Sequence, residues 1–232
     1  MKIYICSIEE LADAASFDAA SLKIDVRRRE KLEKIKNQAD RERSLCAGLL
    51  LNYAVRQFDQ GSESKQQLSK LQPVEELSLA KLLTIPGQQY DYRQDAGGKP
   101  FLADIPGFFF NLSHSGEYVL CAWDERELGA DLQKMERPVT DALAKKVLTQ
   151  AEYANFCKLS ESERTREFYR VWTIKESCCK LTGKGLSQNF QELEVMDTKQ
   201  QIFRKGEQQE IHFQTIPWRE NYRIAVSRYE SL

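Results

Sequence analysis

Several things are missing from this chain, and each absence closes off a class of function. No stretch approaches the ~20 consecutive apolar residues of a transmembrane helix, which excludes a membrane span. The opening residues turn polar too soon to be a secretory signal. Lysine plus arginine (34) and aspartate plus glutamate (35) nearly cancel. A formal net charge of −1 therefore leaves no global basic field for general nucleic-acid binding. The six cysteines, at positions 6, 46, 121, 157, 178 and 179, contain no C-x-x-C pair. They are expected to be reduced core thiols in a reducing compartment, the cytoplasm. A Walker A loop is also absent. Before Gly98-Lys99, Arg93 stands where its first glycine belongs, and Pro100 follows where Ser or Thr belongs.

What remains is an ordinary globular composition, 41% hydrophobic and 30% charged, over 232 residues. That length suits one large domain or two small ones with a real core. The chain is organised around the stretch from Trp172 to Leu186. Phe168, Val171, Trp172 and Cys179 recur at three- and four-residue steps, so one helix face is apolar. Glu176 and Lys180 are four apart, one turn above one another. Gly183 ends the helix, and Lys184 follows in a loop whose second glycine is Gly185. One reading is an ion pair and a glycine cap. The other is a site for an anion plus a metal.

In chain order, positions 2–8 alternate as a short strand, and 25–58 read as two helices, the first strongly basic. Arg28, Lys31 and Arg43 would converge into a phosphate clamp if the two helices pack; otherwise the basic stretch is a solvated face. Positions 59–80 read as a surface helix and loop. Gly97-Gly98-Lys99-Pro100 is a turn that presents Lys99. Three strands follow, at 108–112, 118–123 and 128–133. Ser113-His114-Ser115-Gly116 is expected as a polar, anion-binding turn between the first two. Asp131 and Gln133 are two apart on the third and share a face. With Glu176 they offer two carboxylates and an amide oxygen, hard ligands that suit Mg²⁺. Positions 140–160 read as helical, and 193–196, 211–214 and 222–226 as short strands. His212 receives no role. Helices then strands recur twice, with a boundary near 125–127, giving expected units of 1–126 and 127–232.

Taken together, Phe110 to Gly116, Gly129 to Gln133, Trp172 to Lys180 and Gly183 to Leu186 resemble the Sfp-type 4′-phosphopantetheinyl transferases. Gly98-Lys99-Pro100 and the segment around Arg28 to Lys31 agree. The resemblance runs across roughly residues 25 to 230. It implies an α+β fold of two similar subdomains related by a pseudo-twofold, with the active site in the cleft between them. It also implies an enzyme that binds coenzyme A and Mg²⁺. The phosphopantetheine arm moves to a serine of an apo acyl or peptidyl carrier protein, and adenosine 3′,5′-bisphosphate is released. By matching positions, Asp131, Gln133 and Glu176 are the metal site. Arg28, Lys31 and Arg43 hold the 3′-phosphate end. Lys99, Ser113, His114 and Lys175 contact the nucleotide or its diphosphate, and Lys180 lies near the reacting centre. Two positions depart from the family pattern. Gln133 stands where glutamate is common, keeping an oxygen but losing a charge. Arg28 stands where lysine is common, keeping the charge and adding fork geometry.

The chemistry fits independently, because phosphoryl transfer needs positioning, a metal and a ring of cations more than a reactive side chain. Glu176 is the candidate base for the carrier serine. A second hypothesis is a non-catalytic nucleotide- or RNA-binding protein, motivated by the basic cluster and Gln133; a mere binder has no need of Asp131 and Glu176. A monomer is expected, since one chain supplies both halves.

Overall fold

The computed structural model describes residues 1–61, 73–183, 189–204 and 207–229. Lys184, Gly185 and Leu186, and residues 62–72 of the expected surface helix and loop, lie outside the described residues. The chain divides into two compact units. One is 1–93 with 100–126; the other is 94–99 with 127–232.

The first unit carries β1 (Lys2–Ser7), α1 (Ala14–Ser21), α2 (Val26–Lys34), α3 (Gln38–Asp59), β2 (Glu75–Glu76), α4 (Leu79–Leu83), β5 (Phe109–Ser115) and β6 (Tyr118–Asp124). A two-stranded ribbon, β3 (Tyr92–Gln94) with β4 (Pro100–Leu102), precedes β5, and its tip residues group with the second unit. The four-stranded sheet has the order β2-β1-β6-β5, with β1 antiparallel to β6 and parallel to β2. Residues 45 to 55 of α3 are buried without interruption. A helix apolar on all sides belongs inside a core, and α3 packs among Tyr4, Cys6, Leu32, Val119 and Trp123. Its start is fixed by Asn37, whose side-chain oxygen accepts the Asp40 N–H at 3.0 Å.

The second unit carries β7 (Gly129–Lys134), α5 (Asp141–Val147), α6 (Gln150–Phe156), α7 (Glu161–Thr182), β8 (Leu193–Met196), β9 (Gln201–Arg204), β10 (Glu207–Ile216) and β11 (Tyr222–Arg228). Its sheet runs β7-β11-β10-β9-β8, with every pair antiparallel. Helix α7 starts in a capping box between Ser160 and Glu163 and ends at Gly183, at φ 69°. Phe168, Val171, Ile174, Cys178 and Leu181 bury its inner face.

Four expectations change. Positions 140–160 form two short helices, split where Leu148 leaves helical geometry and Thr149 caps the next turn. Strand β9 was not foreseen; it holds only two apolar residues, Ile202 and Phe203. The segment 113–116 is no polar turn: β5 continues through Ser115, and the reversal falls at Gly116, at φ 56°. Of the six cysteines, five are buried and Cys157 is exposed.

Candidate active site

The second unit brings its acids together through one close approach. Gly129, Asp131 and Gln133 share a face of β7, as period two requires. At Gly129 a Cβ would lie 1.9 Å from the Ser177 backbone oxygen and 2.5 Å from the Leu181 nitrogen. Only glycine lets α7 sit so near this edge strand. Ser177 Oγ on α7 is also 2.6 Å from Ser227 Oγ on β11, where Ser227 is the cross-strand partner of Gly129. The helix is therefore pinned over the two strands.

That contact sets Trp172, Glu176 and Lys180, spaced four apart on α7, along one stripe. Lys180 Nζ lies 2.7 Å from Asp131 Oδ1, and Gln133 Nε2 donates to Asp131 Oδ2 at 2.9 Å. Trp172 Nε1 donates to Glu176 Oε1 at 3.3 Å. Asp131 is 2% exposed. Burial, and then the neighbouring Asp131 carboxylate, push the Glu176 carboxyl above its ordinary range, against the pull of Trp172 and Lys180. A half-buried acid raised by a neighbouring carboxylate is a place where a cation is favoured. Two carboxylates and an amide oxygen are the donors a hard divalent ion takes. Asp131, Glu176 and Gln133 therefore fit Mg²⁺ as a partial ligand set, leaving positions for water and phosphate oxygens. Among the described residues, no group of three or more His, Cys, Asp or Glu is placed to hold a metal ion.

Lys175 does not join this stripe. One residue from Glu176, it points about 100° around the helix axis and is fully buried. Its ammonium meets Val147 O at 2.9 Å, Glu152 Oε2 at 2.6 Å and Phe190 O at 3.1 Å. Three acceptors use all three of its N–H bonds. In this structure Lys175 is an internal tie, apart from the stripe of Glu176 and Lys180, its pKa lowered by burial and held up in part by Glu152.

Lys99, at the ribbon tip, is half-way to the same outcome. Its ammonium donates to Leu128 O at 3.0 Å and Leu181 O at 3.2 Å, beside the C-terminal end of α7. Burial lowers its pKa. The tip is seated tightly, since a Cβ on Gly97 would fall 2.3 Å from Gly183 O.

In the first unit, Arg28 and Lys31 lie one turn apart on α2, Lys31 exposed and Arg28 half-buried. The Arg28 stem crosses α3 at Gly48, where a Cβ would meet its Cδ at 2.6 Å. Its Nη1 lies 3.4 Å from Ser44 O, and its guanidinium stands 5.8 Å over the Tyr92 ring. Arg43 Nε donates to Gly116 O at 2.9 Å, and Nη1 pairs with Asp40 at 2.7 Å. Arg43 is thereby joined to the β5–β6 reversal. Ser113 and His114, adjacent on β5, face opposite sides; Ser113 is buried and His114 exposed.

Trp172 and Gly129 escaped the sequence reading as site residues. Trp172 had looked like one more apolar position. Gly129 carried a signal, a glycine two positions before a strand carboxylate on the same face.

Residues 127–227 match the model of the 4′-phosphopantetheinyl transferase superfamily. That stretch, which holds β7 and α7, is what the chain shares with the superfamily. Within it the likeness is to the Sfp type. The chain is 41% identical over 90 residues to "4′-phosphopantetheinyl transferase Sfp" of Bacillus subtilis (strain 168), covering 39% of this chain and 40% of that one. It is 28% identical over 187 residues to a further "4′-phosphopantetheinyl transferase" of Bacillus subtilis, covering 81% and 72%. A crystal structure of a holo-(acyl-carrier-protein) synthase from Bacillus anthracis str. Ames, in complex with CoA (3′,5′-ADP), aligns at 20% identity and a TM-score of 0.39. That alignment covers 44% of this chain and 92% of that one. The match to Sfp thus spans less than half of that relative's length.

Proposed function

We propose that the protein transfers the 4′-phosphopantetheine arm of coenzyme A to a serine of an apo carrier protein, with Mg²⁺ as cofactor. The observation that carries this is the pairing of Asp131 and Glu176 across the β7–α7 contact with Lys180 on the same stripe. Asp131, Glu176 and the Gln133 amide oxygen would hold Mg²⁺, which when bound neutralises charge on the diphosphate. Lys180 supplies a further cation beside the phosphates. The serine Oγ attacks the phosphorus that carries the pantetheine arm. The P–O bond to the other phosphate breaks, and adenosine 3′,5′-bisphosphate leaves. The serine proton passes to Glu176, directly or through water, and burial favours Glu176 taking that proton.

Arg28, Lys31 and Arg43 of the first unit are proposed for the 3′-phosphate end, with His114 and Ser113 on the adjoining strand. Lys99 of the second unit takes a phosphate only by releasing its two carbonyls. The proposal includes a monomeric, cytoplasmic protein. Six thiol-form cysteines support the reducing compartment, and a gel-filtration mass of one chain is expected.

The test is labelling of a panel of apo carriers with a fluorescent coenzyme A arm and Mg²⁺. Labelling by wild type and its loss in Asp131→Ala are expected. Silence across the panel would favour the second reading, a nucleotide binder, which is motivated by the basic face of α2.

A further inference from the structure

Helix α2 has nine residues and buries only Leu32. A helix so short is marginal on propensity alone, and so polar a one has little packing to orient it. Its orientation must come from elsewhere, and the structure shows from where. Asp25, just before the helix and 3% exposed, uses both carboxylate oxygens. Oδ1 accepts the Arg27 N–H at 2.9 Å, and Oδ2 accepts the Tyr90 N–H at 3.0 Å. Gln89 Oε1 accepts the Val26 N–H at 3.0 Å. The Tyr90 hydroxyl donates to Asn52 Oδ1 at 2.9 Å, and Asn52 Nδ2 donates to Lys23 O at 2.6 Å. Asn52 and Tyr90 are 2% and 7% exposed. One buried polar knot thus joins the start of α2, the middle of α3 and the segment entering β3. Downstream, Arg27 Nη1 donates to Tyr92 O at 3.0 Å, and Arg28 stands over the Tyr92 ring.

We infer that Asp25 is a positioning residue for coenzyme A recognition: its two-sided clasp between α2 and the 89–92 segment aims Arg28 and Lys31 at the 3′-phosphate. This rests on the proposed role of those two residues. The clasp does not touch the substrate. It fixes the roll of α2 about its axis and the angle at which its basic face leaves α3. A buried, fully hydrogen-bonded network specifies one geometry, and a network with one member missing does not. Placement errors of about 1 Å are enough to weaken charged recognition severely.

The test pairs a variant with a truncated ligand. Wild type, Asp25→Ala and Tyr90→Phe are compared on coenzyme A and on 3′-dephospho-coenzyme A. Calorimetric titration with adenosine 3′,5′-bisphosphate runs alongside as a readout independent of turnover. For Asp25→Ala the KM for coenzyme A is expected to rise about tenfold with kcat within about twofold, while the KM for 3′-dephospho-coenzyme A stays within about twofold; these sizes follow from losing aimed charged hydrogen bonds. Affinity for the bisphosphate should fall in parallel. Tyr90→Phe keeps the clasp on its backbone N–H and loses the hydroxyl's ties to Asn52 and Gln88, so it should shift the same parameters in the same direction by less. Equal losses on both substrates, or a change in kcat alone, would overturn the inference by showing a general loss of structure. If Asp25→Ala does not fold, Tyr90→Phe decides by the same comparison. A wild type that transfers to a carrier but does not distinguish the two coenzymes refutes the positioning role while leaving the transferase reading intact. A wild type that neither transfers nor binds the bisphosphate refutes both.

Discussion

Replacing Gly129 by alanine tests the contact on which the site is built. The added methyl carbon would start 1.9 Å from the Ser177 carbonyl oxygen, where ordinary contact begins at 3.4 Å. The neighbours are backbone on both sides, so no side chain can rotate away. Helix α7 and strand β7 must part by about 1.5 Å, the difference between those two distances. Overpacking of this kind costs about 1–3 kcal/mol, which for a chain of this size is a fall in Tm of about 2–12 °C. The same separation acts on Asp131 against Lys180, now at 2.7 Å, and on the Asp131–Glu176 pair. The magnesium concentration for half-maximal transfer should therefore rise at least several-fold in parallel with the loss in Tm. Gly98→Ala is the control: its φ is +85° but nothing lies within 4 Å of a new Cβ. It should show only backbone strain of about 1 kcal/mol and an unchanged magnesium requirement. A Gly129→Ala protein with wild-type Tm and wild-type magnesium dependence would refute the close-approach argument.

Three further outcomes follow from the same geometry. Glu176 has a folded pKa above its unfolded one, so its contribution to stability is most favourable below the ordinary carboxylate pKa and is lost as pH rises through and above that range. Glu176→Gln in metal-free buffer should therefore raise Tm at pH 7–8, less so near pH 4, while abolishing transfer; thermal melts across pH check this. Glu152→Gln leaves the buried Lys175 ammonium without its counter-charge, and about 3–5 kcal/mol is expected to be lost. Adding Lys175→Met should recover most of it, read by denaturant unfolding. Native thiol titration should find one fast-reacting cysteine, Cys157, and all six only after unfolding.

Much of this was legible beforehand because the signals were long or local. Helix α7 announced itself through sustained apolar periodicity and a glycine stop, and the Asp131–Gln133 face through strand parity. What stayed hidden depended on partners distant in sequence. Nothing in Lys175 shows that Glu152, Val147 and Phe190 will surround it, although the 100° offset from Glu176 means that the two cannot face the same way. Ser113 and His114 were read as one turn, but the hydrogen-bonded pairing of β5 with β6 extends through both. Their parity then splits them. Lys99 sits on a turn as expected, yet the turn is folded inward, because two glycines, Gly97 and Gly183, allow backbone to meet backbone. Asp25 caps α2 with one oxygen, and its second is committed to the segment before β3, 65 residues away.

The claim at the centre is that Asp131 and Glu176 share a divalent cation needed for transfer. Titration with Mn²⁺ in the presence of coenzyme A, followed by the electron paramagnetic resonance of the free ion, measures it directly. One bound ion per chain is predicted for wild type, with both that binding and carrier labelling lost in Asp131→Ala and Glu176→Ala. Undiminished Mn²⁺ binding in those variants, or full labelling by wild type in excess chelator, would contradict it.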